Sequence, residues 1–185
     1  MVKIGEIIMR QLEEFYEHSL KDDIENENLF VDNVKGDYSY SENEFGKNAN
    51  GNLEITDSII RDFNAQKSVG DEFRRNDDDG GHLIGARFGG SPQLDNLEAQ
   101  NRNLNRGSYK KMENIWNDEL KDDNNVFVNI STYKQEDIDR PDAYMGYSIL
   151  EKENGEREFD VFSFQNESRD TLEEWEKIVE EMDMT

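Results

Sequence analysis

An imidazole, an amide and a carboxylate in the middle of the chain are the groups whose types and spacing could do chemistry. His82 is one of two histidines in 185 residues, Asn105 follows it, and Glu113 lies eight residues beyond Asn105. A neutral imidazole can accept a proton from water at physiological pH. Magnesium prefers oxygen ligands and keeps several waters, so one amide oxygen can suffice from the protein. Together they predict a site that hydrolyses a phosphodiester with one metal ion.

The neighbouring sequence indicates how these groups are positioned. Gly80 and Gly81 precede His82 and permit a tight turn, with room for a phosphate beside the imidazole. Asn105 is predicted to cap a helix that runs to about residue 120. The residues that follow it at three- and four-residue spacings would share one face of that helix: Tyr109, Met112, Glu113 and Trp116.

The pattern resembles the DNA/RNA non-specific endonucleases, which belong to the ββα-metal (His-Me finger) nucleases. In that family an Asp-Arg-Gly-His motif supplies a general base, a later asparagine binds the metal ion, and a glutamate follows eight residues on. The run Asp79-Gly80-Gly81-His82 matches the motif except at Gly80, and Asn105 and Glu113 match the other two positions. The resemblance spans roughly residues 38–165.

Further short motifs resemble one branch of that family, the C-terminal toxin domains of bacterial effectors, including type VII-secreted ones. This branch implies a secreted bacterial protein that acts in the cytoplasm of a target cell and is neutralised by an immunity protein. The matching motifs are Phe88-Gly89-Gly90, Asp95-Asn96-Leu97, Gln100-Asn101, Leu104-Asn105-Arg106 and Lys110-Lys111-Met112-Glu113-Asn114.

The resemblance also implies a role for each residue. His82 would be the general base, Asn105 the ligand of Mg²⁺ or Mn²⁺, and Glu113 would orient a metal-bound water. DNA or RNA phosphates would be bound by four basic residues, Arg75, Arg106, Lys110 and Lys111, while Asp79, Gly80 and Gly81 would shape the site. Gly80 stands where the family motif has an arginine. Another residue must therefore stabilise the negative charge of the transition state, and the candidates are Arg87, Arg75 and Arg106.

Taken alone, each residue has a simpler interpretation. His82 could be a turn histidine, Asn105 only a helix cap and Glu113 one more surface charge. The run Asp77-Asp78-Asp79 could be a carboxylate metal cluster, but we expect Asp79 to hold a backbone turn or the imidazole and the other two to be solvated. The functional interpretation depends on the whole set at family spacing.

The charge distribution leaves two function classes open. The chain has a formal net charge of −23, whereas residues 74–111 hold seven basic and five acidic residues, a net charge of +2. A nuclease predicts a neutral or basic cleft around His82 on an acidic body. The alternative is an inactive nuclease-fold protein that acts as a binding module or mimics nucleic-acid charge.

The remaining sequence bounds the architecture. Cysteine is absent, no 18-residue apolar run is present, and the N-terminus lacks the pattern of a signal peptide. We expect an α+β fold, with a ββα-metal core in a mainly antiparallel sheet and helices at both ends. The predicted divisions are an N-terminal helical extension at 1–35, a nuclease domain at 36–168 and a C-terminal helix at 169–185.

Period-two patterns and turn residues predict the strands of the sheet. Tyr38 and Tyr40 indicate a first strand, and Leu53 and Ile55 indicate another after a turn at Asn50-Gly51. Three more strands are predicted near residues 126–130, 144–150 and 159–164, the last two joined at Asn154-Gly155. Residues 57–66 could be helical or irregular.

Overall fold

The computed structural model describes residues 34–168, which form two antiparallel sheets and a helical arm. The larger sheet has five strands in the order β1-β2-β5-β6-β7, and the smaller sheet pairs β3 with β4. The strands are β1 (Ser39–Asn43), β2 (Gly46–Asn52), β3 (Asp78–His82), β4 (Leu97–Asn101), β5 (Asn125–Tyr133), β6 (Ala143–Glu151) and β7 (Arg157–Gln165).

The second half of the large sheet follows the predicted pattern. Val126, Val128 and Ile130 of β5 are buried in the main core, where period-two alternation had placed them on one face. The β6–β7 hairpin turns at Gly155, which adopts a φ of +80° and donates its N–H to the Lys152 carbonyl at 2.8 Å. The three predicted strands and their Asn-Gly turn are therefore confirmed.

The first hairpin has a different register from the predicted one. Asn50 and Gly51 do not form a turn but lie inside β2, where they pair with Asn129 and Val128. The chain turns earlier, because the Asn43 side chain accepts hydrogen bonds from the backbone N–H groups of residues 45 and 46 at 2.8 and 3.2 Å. The strand predicted at residues 53–55 is consequently wrong.

A ββα unit, which we call the finger, contains the predicted functional residues. It consists of β3, a long loop, β4, and a helical arm made of Arg102–Leu104, a π-helical turn at Asn105–Tyr109 and helix α2 (Lys110–Lys121). The arm is capped by Asn101, whose side chain accepts from the Asn103 N–H at 3.0 Å. The prediction that Asn105 caps the helix is wrong, since the helical path begins three residues earlier.

A buried ionic contact joins the finger to the large sheet. The guanidinium of Arg140 donates two hydrogen bonds to Asp78 at 2.8 and 3.0 Å, and each residue is only 4% exposed. Arg140 also donates to the Asn166 carbonyl at 2.7 Å, while the Asn166 amide donates to the Ala99 carbonyl of β4 at 2.9 Å. The expectation that Asp78 is solvated is wrong, because Arg140 compensates its charge inside the protein.

Residues 57–66, left open by the sequence, contain an irregular loop followed by helix α1 (Phe63–Ser68). The helix begins at Asp62, whose carboxylate accepts from the backbone N–H groups of Asn64 and Ala65 at 2.9 and 3.0 Å. The predicted N- and C-terminal helices lie outside the described residues. Within residues 34–168, no helix is long and apolar enough to cross a membrane.

Candidate active site

The predicted base, His82, occupies the end of β3, opposite Leu97 of β4. Its side chain is buried, and its Nε2 atom has no hydrogen-bond partner within the described part of the chain. Burial, helped by the positive charge of Arg61, lowers the pKa of the His82 imidazole to about 4. The ring is therefore neutral at physiological pH.

Hydrogen bonds hold the loop that leaves His82 against the rest of the finger. The Tyr109 hydroxyl donates to the Leu83 carbonyl at 2.7 Å. The Asn96 amide bonds both backbone groups of Ile84, accepting from its N–H and donating to its carbonyl at 2.9 Å each. Asn96 belongs to the motif Asp95-Asn96-Leu97, but nothing in the sequence indicated this structural role.

Asn105 shares the carboxylate of Asp79 with an arginine. The Asn105 Nδ2 donates to Asp79 Oδ2 at 3.1 Å, and Arg106 donates from two nitrogens to the same carboxylate at 2.8 and 3.0 Å. This use of the amide nitrogen leaves the amide oxygen of Asn105 available as a metal ligand. Asp79 therefore orients Asn105. Its side-chain partners are Asn105, Arg106 and Arg102 and not the His82 imidazole, within the described part of the chain.

The Asp79 carboxyl stays ionised in this arrangement. Partial burial acts to raise its pKa, but hydrogen bonds from Arg106, Asn105 and Arg102 outweigh that effect and lower the pKa. Its negative charge thus fixes two cations and the amide of Asn105 at the start of the helical arm.

Glu113 projects from α2 towards the loop that follows His82. Its carboxylate occupies space beside Gly85, where an added Cβ would come within 2.3 Å of the Glu113 Oε1. Burial raises the pKa of the Glu113 carboxyl to about 6, although three nearby cations, Arg87, Arg61 and Lys110, act to lower it. Three cations therefore lie within electrostatic range of this carboxylate, in a chain of strongly negative net charge.

Arg61 is a site residue that the sequence analysis missed. It is exposed, and its charge acts on both His82 and Glu113, so it lies within electrostatic range of both side chains. It lies just before α1, in a stretch without a recognisable motif, so no sequence signal pointed to it. The predicted Arg87 donates to the Asn114 side chain at 2.8 Å and also acts on Glu113.

We expected Gly80 and Gly81 to leave room for a phosphate, and this expectation is wrong. The space beside them is filled by other parts of the protein. A Cβ at Gly80 would lie 2.3 Å from the Gln66 carbonyl oxygen of α1. One at Gly81 would lie 2.0 Å from the Gln100 side chain. An arginine at position 80 is therefore excluded by the packing of α1, the same element that follows Arg61.

Three of the four predicted substrate-binding residues lie on the finger, and Arg75 precedes it. Arg75 donates to Glu167 at 2.6 Å, so part of its charge is neutralised. Arg106 is paired with Asp79, while Lys110 and Lys111 are exposed at the start of α2. All but Arg75 lie on the helical arm that also contains Asn105.

The donor atoms fit a hard, water-rich metal ion. No group of three His, Cys, Asp or Glu side chains within the described ranges could hold a metal ion by itself. A single amide oxygen at Asn105, oriented by Asp79, suits an ion such as Mg²⁺ that retains several waters.

Comparison with known families decides the identity of this unit. The family model described as DNA/RNA non-specific endonuclease matches residues 27–148. The chain belongs to this family. It is thus a hydrolase of the nuclease class, and its α+β fold with a ββα-metal finger is the one that the sequence predicted. Nucleases of this family depend on a metal ion.

The endonuclease chain is also similar to curated bacterial proteins. It is 45% identical over 74 residues to the type VII secretion system protein EssD of Staphylococcus aureus strains USA300 and NCTC 8325. The match covers 37% of this chain and 12% of EssD, so the chain spans only a small part of that relative.

Two solved structures were also found, described as an extracellular nuclease and an extracellular endonuclease. Each is 13% identical in sequence and covers 75% of this chain, with TM-scores of 0.46 and 0.44. The aligned regions cover 91% and 84% of those two chains.

Proposed function

We propose that this chain is a metal-dependent, sequence-non-specific endonuclease that hydrolyses phosphodiester bonds in DNA and RNA. The observation that carries the proposal is the buried, neutral imidazole of His82, whose Nε2 has no partner among the described residues. A neutral imidazole beside several cations is suited to accept a proton from an attacking water.

The other residues would support that proton transfer. Asn105, with its nitrogen fixed by Asp79, would hold Mg²⁺ or Mn²⁺ through its oxygen. A bound ion supplies Lewis acidity to the phosphate and stabilises the leaving oxygen. Glu113, against the loop at Gly85, would orient a water by hydrogen bonding.

Positive charge for the reacting phosphate would come from Arg61 and Arg87. Both act on Glu113, and Arg61 also acts on His82, so both lie close to the proposed reaction centre. Arg61 would replace the family arginine that packing excludes at Gly80. Fixed cations near the developing charge stabilise a phosphoryl transition state.

The biological role we propose is that of a secreted antibacterial toxin domain. Support comes from the similarity to EssD, whose name assigns it to a type VII secretion system. A nuclease of this kind would act in the cytoplasm of a target cell, and a producing cell would need an immunity protein against it. Co-expression with a neighbouring small gene tests this role through rescue of growth.

Digestion of plasmid DNA and of structured RNA tests the activity. We expect cleavage in Mg²⁺ or Mn²⁺, none in a chelator, and a rise in the metal concentration needed for half-maximal rate in an Asn105→Ala variant. A Lys121→Gln variant, changed at the far end of α2, is the matched control and should behave as wild type. Absence of cleavage with both metals and both substrates would favour the inactive binding module.

A further inference from the structure

We propose that a groove between the helical arm and β7 binds a single strand of the nucleic acid next to the cleaved bond. The inference rests on the proposed nuclease function and extends it to a substrate-binding surface. The groove has a volume of about 890 Å³, within the range of sites that take nucleotide-sized ligands. Its lining includes Arg102, Arg106, Lys111, Phe164 and Glu167.

The groove carries positive charge in a strongly acidic protein. Arg102, Arg106 and Lys111 are all exposed. Because Arg102 and Arg106 share the single carboxylate of Asp79, three cations and one anion leave a net charge of +2. The one acidic residue of the lining, Glu167, is neutralised by Arg75 at 2.6 Å. In a chain with a net charge of −23, such a cluster indicates an anionic ligand, and a phosphodiester backbone offers charges in a row.

The groove begins beside the proposed metal ligand. One oxygen of Asp79 accepts both from the Asn105 amide at 3.1 Å and from the Arg106 Nε at 2.8 Å. A phosphate close to Asn105 is therefore adjacent to the guanidinium that opens the groove. A strand leaving the reaction centre along the arm would pass Arg106, then Arg102 or Lys111.

An aromatic side chain in the lining favours a single strand over a duplex. Phe164 of β7 lines the groove and is only partly buried. Its ring is fixed by stacking on Phe162, with centroids 5.8 Å apart, and by a tilted contact with Tyr109 at 5.9 Å. A fixed aromatic ring among cations is the arrangement that binds unpaired bases without sequence preference.

Binding of a fluorescent 12-nucleotide single strand tests the charge of the groove. The measurement uses the full chain carrying His82→Ala, which prevents digestion, and compares Arg102→Gln/Lys111→Gln with the control Lys35→Gln/Lys121→Gln. Both double variants remove two exposed positive charges. We expect the groove variant to raise Kd about tenfold and to reduce the slope of log K against log salt by roughly 1.4.

A Phe164→Leu variant tests the aromatic contact separately. Leucine keeps the apolar packing on Tyr109 but cannot stack on a base. We expect binding about 5- to 100-fold weaker, with an unchanged salt slope. Equal losses for a 12-base-pair duplex and for the single strand would overturn the assignment to a single strand.

Cleavage by the same variants with His82 restored separates the two proposals. We expect the groove variants to lose much more rate on the oligonucleotide than on the small diester bis(p-nitrophenyl) phosphate. If wild type cleaves but the groove and control variants bind and cut alike, the groove proposal fails and the nuclease stands. If wild type cleaves nothing in either metal, the nuclease proposal fails.

Discussion

Asp78 and Asp79 are neighbours in β3, yet they serve two different regions of the molecule. Consecutive side chains of a strand point to opposite faces. Asp78 is buried and takes two hydrogen bonds from Arg140, which fixes the finger to the large sheet. Asp79 is partly exposed and takes hydrogen bonds from Asn105 and Arg106, which shapes the proposed site.

This difference separates stability from activity in adjacent residues. A buried ion pair contributes little beyond what apolar packing could supply, but removing one partner leaves an uncompensated charge. A partly exposed pair contributes little to folding because water and salt screen it. Asp78 should therefore matter to unfolding and Asp79 to the reaction.

The largest expected effect on folding is that of Asp78→Ala. It removes the carboxylate that is hydrogen-bonded to the buried Arg140 guanidinium and leaves Glu167, at 4.0 Å, as its remaining acidic neighbour. Breaking a buried pair in this way typically costs about 3 to 5 kcal/mol of unfolding free energy. Urea unfolding of the metal-free chain measures it. The double variant Asp78→Ala/Arg140→Met should recover a substantial part of the loss, and a single variant as stable as wild type would refute the structural role.

The pH dependence of the unfolding free energy tests the burial of His82, the last residue of β3. The folded-state pKa of His82 is lowered to about 4 from its ordinary 6.5, so its stabilising contribution is fully present above pH 6.5 and is lost as pH falls towards 4. Relative to His82→Ala, wild type should lose about 3 kcal/mol across that window. A constant difference between the two proteins would show that the imidazole is not held neutral by burial.

Asp79→Ala should have the opposite profile to Asp78→Ala. Losing the acceptor for the Asn105 amide should reduce cleavage about 10- to 100-fold, as is usual for residues that orient a metal ligand. Unfolding free energy should change by only about 0 to 1 kcal/mol. Asp79→Asn, which keeps an acceptor oxygen, should fall between wild type and the alanine variant in metal requirement.

Tyr109→Phe should reduce the stability of the fold less than Asp78→Ala does. It removes the hydrogen bond to the Leu83 carbonyl and leaves that oxygen unpaired at a buried position, at a cost of about 1 to 2 kcal/mol. Thermal unfolding measures this loss. Tyr133→Phe, changed at an exposed tyrosine of β5, is the control and should unfold at the wild-type temperature.

Local patterns in the sequence were sufficient to predict part of the fold. The alternation in β5 and the Asn-Gly turn between β6 and β7 depend on neighbouring residues, and both are confirmed. The turn of the first hairpin was predicted at the wrong position. Asn50-Gly51 is a common turn sequence, but here the turn forms earlier, where the Asn43 side chain accepts backbone hydrogen bonds, and Asn50 and Gly51 lie within β2.

Spacing within one segment of the sequence was sufficient to predict part of the candidate site. Contacts between residues that are far apart in the sequence were not predicted. Family spacing identified His82, Asn105 and Glu113, whose roles stay predictions. Asp78 and Arg140 are 62 residues apart in the sequence, and Arg61, whose charge acts on His82, lies in the loop before α1. No periodicity or motif spacing in the sequence predicts either relation, because only the folded chain brings these residues together.

Plasmid cleavage by His82→Ala, with and without added imidazole, is the most direct test of the central claim. If His82 is the general base, the variant should lose about 100- to 10,000-fold in rate in Mg²⁺. Free imidazole should restore part of that rate, since the deleted ring leaves space beside the site. Cleavage within a few-fold of wild type, unaffected by imidazole, would contradict the account.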